Sequence, residues 1–169
     1  ELDRLYCDNN QLTQLDISKN GLKELGCSNN QLTGLNVSEN EGLVELYCYN
    51  NQLTELDISK NTRLETLCCS NNQLSELNVS YNIKLRRLIC NDNNISTINI
   101  SNCSKIVDYE NGSYYLRCDD NVQIIRDSKS DFIENSDGKN TSDVVLIKKL
   151  IEEQVKRDTN VLYIPLCSY

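Results

Sequence analysis

The sequence contains no histidine, methionine or tryptophan, and it has only one proline and one phenylalanine among its 169 residues. The lack of histidine excludes catalysis by an imidazole and metal sites with histidine ligands. No run approaches the roughly 20 apolar residues that a membrane-spanning helix needs, so we expect no membrane insertion. The formal net charge of −8 argues against a nucleic-acid partner, because proteins that bind nucleic acid carry basic surfaces.

Apolar residues are scarce and cysteine is abundant. Hydrophobic residues make up 38% of the chain and nine residues are cysteine, whereas a globular domain has about 45–50% apolar residues when glycine is counted. An odd number of cysteines cannot all pair within one chain. The positions of the cysteines must therefore decide whether they form disulfides, bind metal or pack in a core.

One motif recurs five times in the first hundred residues. It has the form Leu-x-x-Leu-x-Cys-x-x-Asn-x-Leu/Ile, and its copies begin at Leu2, Leu22, Leu43, Leu64 and Leu85. The first step is 20 residues and each later step is 21. Such a period is typical of a solenoid, because a unit this short cannot bury its apolar face and must stack on its neighbours.

Alternation within each copy predicts strands. Leu-x-Cys early in the copy, and Leu-x-Ile or Leu-x-Val later, have the period of two that is typical of β-strands. We therefore predict a flattened solenoid with parallel strands on both sides. A column of asparagines lies where the chain leaves the first strand, and a short amide there can hydrogen-bond to backbone groups of its own coil and the next. This column is Asn10, Asn30, Asn51, Asn72 and Asn93.

The motif is similar to the leucine-rich-repeat signature with cysteine at the third leucine position. Residues 1–103 resemble the 21-residue cysteine-ladder repeats of internalin J-like bacterial surface proteins. The resemblance implies a mainly β, right-handed leucine-rich-repeat solenoid with a parallel sheet on its concave face, in a secreted or surface-displayed bacterial protein. Unlike those proteins, the sequence shows no helical cap before Leu2 and no cell-wall sorting motif, so we expect a mature or excised fragment.

Five cysteines form one inward column, which we interpret as a packed ladder of free thiols. Stacked side chains on strands in register keep their Cβ atoms about 4.7–4.9 Å apart, whereas a disulfide needs about 3.8 Å. A straight column also does not converge on a point as metal ligands must, so we predict no metal site and no cofactor. The ladder consists of Cys7, Cys27, Cys48, Cys69 and Cys90.

The other four cysteines lie outside this column. Cys68 occupies the middle position of a Leu-x-Cys segment, and we expect it to be exposed on the concave face. Cys103 replaces the asparagine that ends the earlier copies. Cys118 and Cys167 can pair with each other or with Cys103, and the sequence does not decide between these pairings.

The residues that flank the inward Leu and Cys should project from the concave face, where we predict a ligand-binding surface. They vary between copies while the inward columns do not, as expected for a surface that reads a ligand. Tyr47 and Tyr49 adjoin there, and tyrosine is enriched at interfaces; alternatively, these tyrosines merely suit strand positions. The predicted binding residues are Arg4, Tyr6, Asp8, Glu24, Glu45, Tyr47, Tyr49, Cys68, Arg87, Ile89 and Asn91.

The repeat stops after Cys103, and we predict two domains: a solenoid over residues 1–103 and a small α+β cap or module over residues 104–169. Asn111-Gly112 is a strong signal for a hairpin turn between the first two strands of this module. The first three strands of this module are predicted at Ile106–Tyr109, Tyr114–Cys118 and Val122–Arg126.

The rest of this module has a helical pattern. Residues 127–140 are polar and are predicted to form a loop. Ser142 is a candidate N-cap for a helix over Asp143–Arg157, which has apolar residues along one face. A final strand is predicted at Val161–Leu166, where Pro165 favours a sheet edge.

No nucleophile with a matching base is recognisable, so we predict a protein that is not an enzyme. The favoured function is recognition of a protein or a glycan through the concave face, in bacterial surface adhesion or host interaction. Two alternatives are a structural spacer and a targeting fragment of a larger multidomain protein, which could include an enzyme.

Overall fold

The computed structural model describes residues 2–18, 20–106, 109–110 and 113–126. This part of the chain contains strands and turns but no helix. The strands are β1 (Arg4–Tyr6), β2 (Glu24–Gly26), β3 (Glu45–Tyr47), β4 (Thr66–Cys68), β5 (Arg87–Ile89), β6 (Thr97–Asn99), β7 (Tyr109–Glu110), β8 (Ser113–Tyr114), β9 (Leu116–Arg117) and β10 (Gln123–Ile125).

Successive copies of the motif stack as coils of a parallel β solenoid. The first strands of coils 1 to 5 lie side by side in the order β1-β2-β3-β4-β5, and β9 follows at the end of the sheet. Each strand pairs with the next in parallel and in register, so that Leu25 aligns with Leu46 and Leu46 with Leu67. The predicted leucine-rich-repeat solenoid is thereby confirmed as a mainly β fold.

The core is one continuous stack of leucine, isoleucine, valine and cysteine side chains. Leu25, Leu46, Leu67 and Leu88 of the central strands are fully buried. A fully buried leucine stabilises the fold by about 1.5–3 kcal/mol relative to an exposed one. Repetition of these inward positions therefore builds an extended core from a chain with few apolar residues.

Asparagine side chains connect each coil to the one before it. Nδ2 of Asn51 donates to the carbonyl oxygens of Cys27 (3.0 Å) and Cys48 (3.1 Å), and its Oδ1 accepts from the backbone N–H of Leu32 (3.0 Å). Asn72 makes the same three bonds one coil later. The amides thus bridge coils as predicted, but the second coil that they reach is the preceding one.

The residue before each of these asparagines adopts a left-handed backbone, a feature that we did not predict. Asparagine and aspartate enter this region more readily than other residues with a side chain. The sequence pair Asn-Asn therefore combines two different roles, a turn conformation and a coil-bridging amide. The positive φ angles occur at Asn9 (58°), Asn29 (54°), Asn50 (54°), Asn71 (52°) and Asp92 (57°).

The prediction of strands on both sides of the solenoid is wrong for coils 1 to 4. Their second segments form no strand, and only β6 of coil 5 pairs in parallel, with β10. Side chains satisfy backbone groups there instead. Nδ2 of Asn61 donates to the carbonyl oxygen of Val37 (3.0 Å), and the backbone N–H of Ser59 donates to Oδ1 of Asp57 (2.9 Å).

The three-strand meander predicted after Cys103 is also wrong, and the structure does not support an α+β cap. The hairpin is present as β7 paired antiparallel with β8. However, β9 joins β5 in parallel and β10 joins β6 in parallel, so residues 116–125 form a sixth coil. The physical reason is that the end of a solenoid exposes its core, and Leu116 and Cys118 are buried against that core.

Several C-terminal predictions lie outside the described residues. They are the loop over 127–140, the N-cap at Ser142, the helix over Asp143–Arg157 and the strand over Val161–Leu166. The division of the chain after residue 103 stays a prediction.

Candidate binding face

The six-stranded sheet presents three columns of side chains on its outer surface, which we call the sheet face. Neighbouring residues of a strand point to opposite sides of the sheet. Because the Leu and Cys of each Leu-x-Cys segment point inward, the residue before the Leu, the residue between them and the residue after the Cys lie on this face. All the predicted binding residues lie in these columns. The first column is Arg4, Glu24, Glu45, Thr66 and Arg87, the second is Tyr6, Gly26, Tyr47, Cys68 and Ile89, and the third is Asp8, Ser28, Tyr49, Ser70 and Asn91.

Two tyrosines of the second column are held by glutamates of the first. The hydroxyl of Tyr47 donates to Oε2 of Glu45 (2.9 Å), and the hydroxyl of Tyr6 donates to Glu24. Burial, followed by this hydrogen bond, raises the pKa of Tyr47, and the hydrogen bond to Glu24 is the main cause that raises the pKa of Tyr6. Both phenols therefore stay protonated and act as donors at neutral pH.

The same two glutamates lie directly opposite each other on neighbouring strands. Glu24 pairs in register with Glu45, and like charges in this position repel. Arg4 lies 3.2 Å from Glu24 and offsets part of the repulsion. Among the described residues, no lysine or arginine nitrogen lies within 4 Å of the Glu45 carboxylate. We call Tyr6, Glu24, Glu45, Tyr47 and Tyr49 the tyrosine–glutamate patch.

Gly26 allows side chains of coil 1 to lie over coil 2. A Cβ atom at this position would lie 2.6 Å from Oδ2 of Asp8 and 2.7 Å from Cδ1 of Tyr6, so no other residue fits without displacing them. Oδ1 of Asp8 also accepts from the backbone N–H of Ser28 (2.7 Å). Ser28 is fully buried, and its Oγ has no hydrogen-bond partner among the described residues.

Cys68 lies on the sheet face as predicted, but the expectation that it is exposed is wrong. Its residue is only 7% exposed, because it is flanked in register by Tyr47 and Ile89 and contacts Arg87. Burial raises the pKa of the Cys68 thiol, although Arg87 opposes this shift. The thiol is thus a packing element beneath the larger side chains of the face.

Comparison with known proteins identifies the repeat. A family model described as leucine-rich repeats in two copies matches residues 41–82. Residues 41–82 of this chain are leucine-rich repeats. No protein with a curated description matches it by sequence.

The leucine-rich repeats are also similar to solved structures. The functional domain of InlJ from Listeria monocytogenes, described as including a cysteine ladder, matches with a TM-score of 0.56 and 26% sequence identity. The match covers 76% of this chain and 31% of that chain, so the leucine-rich-repeat chain spans about a third of the InlJ structure. The leucine-rich-repeat protein LIC12759 of Leptospira interrogans matches with a TM-score of 0.49 and 19% identity, over 74% of this chain and 36% of that chain.

The leucine-rich repeats contain the inward cysteine column, and coil 6 extends it. Cys7, Cys27, Cys48, Cys69 and Cys90 are free thiols. Burial raises the pKa of both Cys27 and Cys90 to about 12, and it also raises that of Cys48 and Cys69. The described residues contain no group of three or more potential ligands that could hold a metal ion.

Two further cysteines behave differently from each other. Cys103 is a free, buried thiol, which excludes the alternative in which it pairs with Cys118 or Cys167. Cys118 is disulfide-bonded. Cys167 lies outside the described residues, and its pairing with Cys118 stays a prediction.

Coil 6 adds face residues that we did not predict. Arg117 pairs in register with Ile89 and lies half-buried at the end of the second column. Asp119 closes this end, because its carboxylate accepts from the backbone N–H of Asp92 (2.8 Å) and of Asn93 (3.3 Å). The signal was present in the sequence, since Leu116-x-Cys118-x-x-Asn121 repeats the first half of the motif.

A groove of about 980 Å³ lies on the second segments of coils 1 to 4, away from the sheet face. Polar residues form most of its walls, including Asp16, Glu55, Asp57 and Glu76. None of the predicted binding residues lines it. The described residues contain no helix that is long and apolar enough to cross a membrane.

Proposed function

We propose that this leucine-rich-repeat chain is a non-catalytic module that binds a protein partner through its sheet face, on the concave side of a right-handed solenoid. The observation that carries the proposal is the tyrosine–glutamate patch on an otherwise regular sheet. Hydrogen-bonded tyrosines offer apolar area and polar atoms at little cost in side-chain entropy, which is why tyrosine is enriched at protein interfaces.

The contrast between inward and outward columns supports this proposal. The inward positions keep Leu and Cys from coil to coil, because stacking demands a constant core shape. The outward positions differ between coils in charge, size and aromatic character, which a purely structural spacer does not need. Similarity to the InlJ functional domain supports a bacterial surface or secreted location, in adhesion or host interaction.

Binding to arrayed human and bacterial proteins, with a glycan array beside them, tests the proposal. The variant Tyr47→Ala/Tyr49→Ala removes two rings from the face, and Tyr81→Ala is the matched control because Tyr81 is 58% exposed and lies outside the three columns. We expect protein spots that bind the native chain to lose at least tenfold in signal with the double variant and to keep it with the control.

Other outcomes of this experiment contradict the proposal. Equal binding by the native chain and the double variant excludes the sheet face as the binding surface. Saturable binding only to glycan spots replaces the protein partner with a carbohydrate. Circular dichroism of each variant verifies that the solenoid is folded before binding is compared.

A further inference from the structure

We propose that the tyrosine–glutamate patch recognises the cationic end of a single basic side chain, arginine above all, on the partner protein. This inference rests on the proposed function of the sheet face and specifies what that face selects. The carboxylates of Glu24 and Glu45 lie in register, and each accepts a hydrogen bond from a tyrosine hydroxyl. Of the two, Glu45 has no cationic partner among the described residues.

The carboxylates create an incomplete charge balance at the centre of the face. Glu24 and Glu45 align on β2 and β3, where neighbouring strands lie about 4.8 Å apart. Glu24 has Arg4 at 3.2 Å, whereas among the described residues Glu45 accepts a hydrogen bond from the hydroxyl of Tyr47 and has no cationic partner. A second cation placed between the two glutamates would relieve their repulsion, as Arg4 does from one side only.

The tyrosines supply the second half of a cation site. Because both hydroxyls donate to glutamates, the rings of Tyr6 and Tyr47 are held next to the carboxylates. The Tyr6 residue is 59% exposed, and Tyr47 is half-buried. A guanidinium group favours such surroundings, since it stacks on aromatic faces while its N–H groups donate to carboxylates in a planar fork.

Arginines of the first column limit the partner to a short basic element. Arg4 contacts Glu24 from the side of coil 1, and Arg87 lies two strands beyond Glu45. A continuous run of basic residues along this column would be repelled by both arginines, whereas a single basic side chain flanked by neutral residues can lie between the two glutamates.

Titration with a defined peptide tests this inference. The probe is acetyl-Gly-Ser-Gly-Arg-Gly-Ser-Gly-amide added to the full ¹⁵N-labelled chain in 150 mM salt, with binding followed by amide chemical shifts. A peptide with citrulline in place of arginine keeps the shape and removes the charge. We expect saturable shifts in coils 1 to 3 with the arginine peptide and none with the citrulline peptide.

Charge-matched variants separate a specific site from the overall negative charge of the protein. Glu45→Gln removes one charge at the patch, and Glu76→Gln removes one charge in the groove away from the sheet face. We expect Glu45→Gln to weaken binding of the arginine peptide at least fivefold, with less than twofold change for Glu76→Gln. Equal weakening by both variants, or saturable binding of the citrulline peptide, overturns the inference.

The array experiment distinguishes failure of this inference from failure of the proposed function. If partners found on the array depend on Tyr47 and Tyr49 but bind Glu45→Gln with unchanged strength, the sheet face still binds protein and the cation specificity is wrong. If those partners bind the Tyr47→Ala/Tyr49→Ala variant normally, the proposed function is itself wrong.

Discussion

The thiol of Cys103 donates to the carbonyl oxygen of Val79 over 3.6 Å, in the position where the preceding coils use an asparagine amide. Its sulfur also lies 3.7 Å from the carbonyl oxygen of Asn82. One coil earlier, Nδ2 of Asn82 donates to the equivalent carbonyls of Ile58 (3.1 Å) and Asn61 (3.0 Å). The cysteine therefore preserves a column of side-chain donors with a weaker donor group, rather than marking a disulfide.

Variants at Cys103 test whether its thiol takes the place of the asparagine amide of the preceding coils. Cys103→Ala should lower the free energy of unfolding by about 0.5–1.5 kcal/mol, because the Val79 carbonyl keeps the backbone N–H of Asn82 but loses the thiol donor. Cys103→Asn restores an amide and should be at least as stable as the native chain. Urea unfolding at pH 7 measures both, and an alanine variant more stable than the asparagine variant would contradict the prediction.

The coil-bridging amides should be the most sensitive polar positions in the fold. Asn51→Ala removes four side-chain hydrogen bonds and leaves buried backbone groups of Cys27, Cys48 and Leu32 with fewer partners. We expect a loss of at least about 2 kcal/mol in the free energy of unfolding. Gln52→Ala is the neighbouring control at an exposed position, and it should change stability by less than about 0.5 kcal/mol.

The left-handed residues should tolerate glycine but not a β-branched side chain. Asn71 has a φ of 52° and is exposed, so burial plays little part there. Asn71→Val should destabilise by about 1–3 kcal/mol through backbone strain, whereas Asn71→Gly should stay within about 1 kcal/mol of the native chain. Thermal unfolding of the two variants compares them directly, and equal stabilities would show that the turn does not require this conformation.

The buried thiols should make the fold less stable in alkaline solution. Burial raises the pKa of Cys27 from its ordinary value of 9.0 to about 12. Below pH 9 the Cys27 thiol is protonated in both the folded and the unfolded chain, so its contribution to the free energy of unfolding is fully present. Above pH 9 the unfolded chain loses the proton while the folded chain keeps it, so stability falls by about 1.4 kcal/mol per pH unit for each such thiol until about pH 12.

Unfolding in urea between pH 7 and pH 10.5 measures this dependence. The variant Cys27→Ala lacks one of the thiols, so its stability should decline less steeply than that of the native chain above pH 9. Parallel pH profiles for the two proteins would mean that Cys27 is not protected from ionisation in the fold.

The sequence predicted those features that depend on local repetition. A constant spacing of Leu and Cys leads directly to stacked parallel strands in register, and hence to the three columns of the sheet face. The inward direction of Cys27 and the outward direction of Tyr47 also follow, because alternation along a strand leaves no other choice once Leu25 and Leu46 are buried.

Features that depend on neighbours across coils did not follow from the sequence. Cys68 is on the predicted face, yet its burial depends on the sizes of Tyr47, Ile89 and Arg87 in the two neighbouring coils. The sixth coil escaped prediction because 28 residues separate Leu88 from Leu116, where they align in register. This longer connection interrupts the 21-residue period, but it does not prevent β9 from stacking on β5.

The sequence by itself thus determined the repeat, its parallel strands and the identity of the inward and outward columns. Only the tertiary structure decided which carboxylate has a cationic partner, which thiol is covered and that a sixth coil joins the stack. The physical reason is that periodicity sets the direction of each side chain through local backbone geometry, whereas burial and charge pairing depend on residues that become neighbours only when the coils pack.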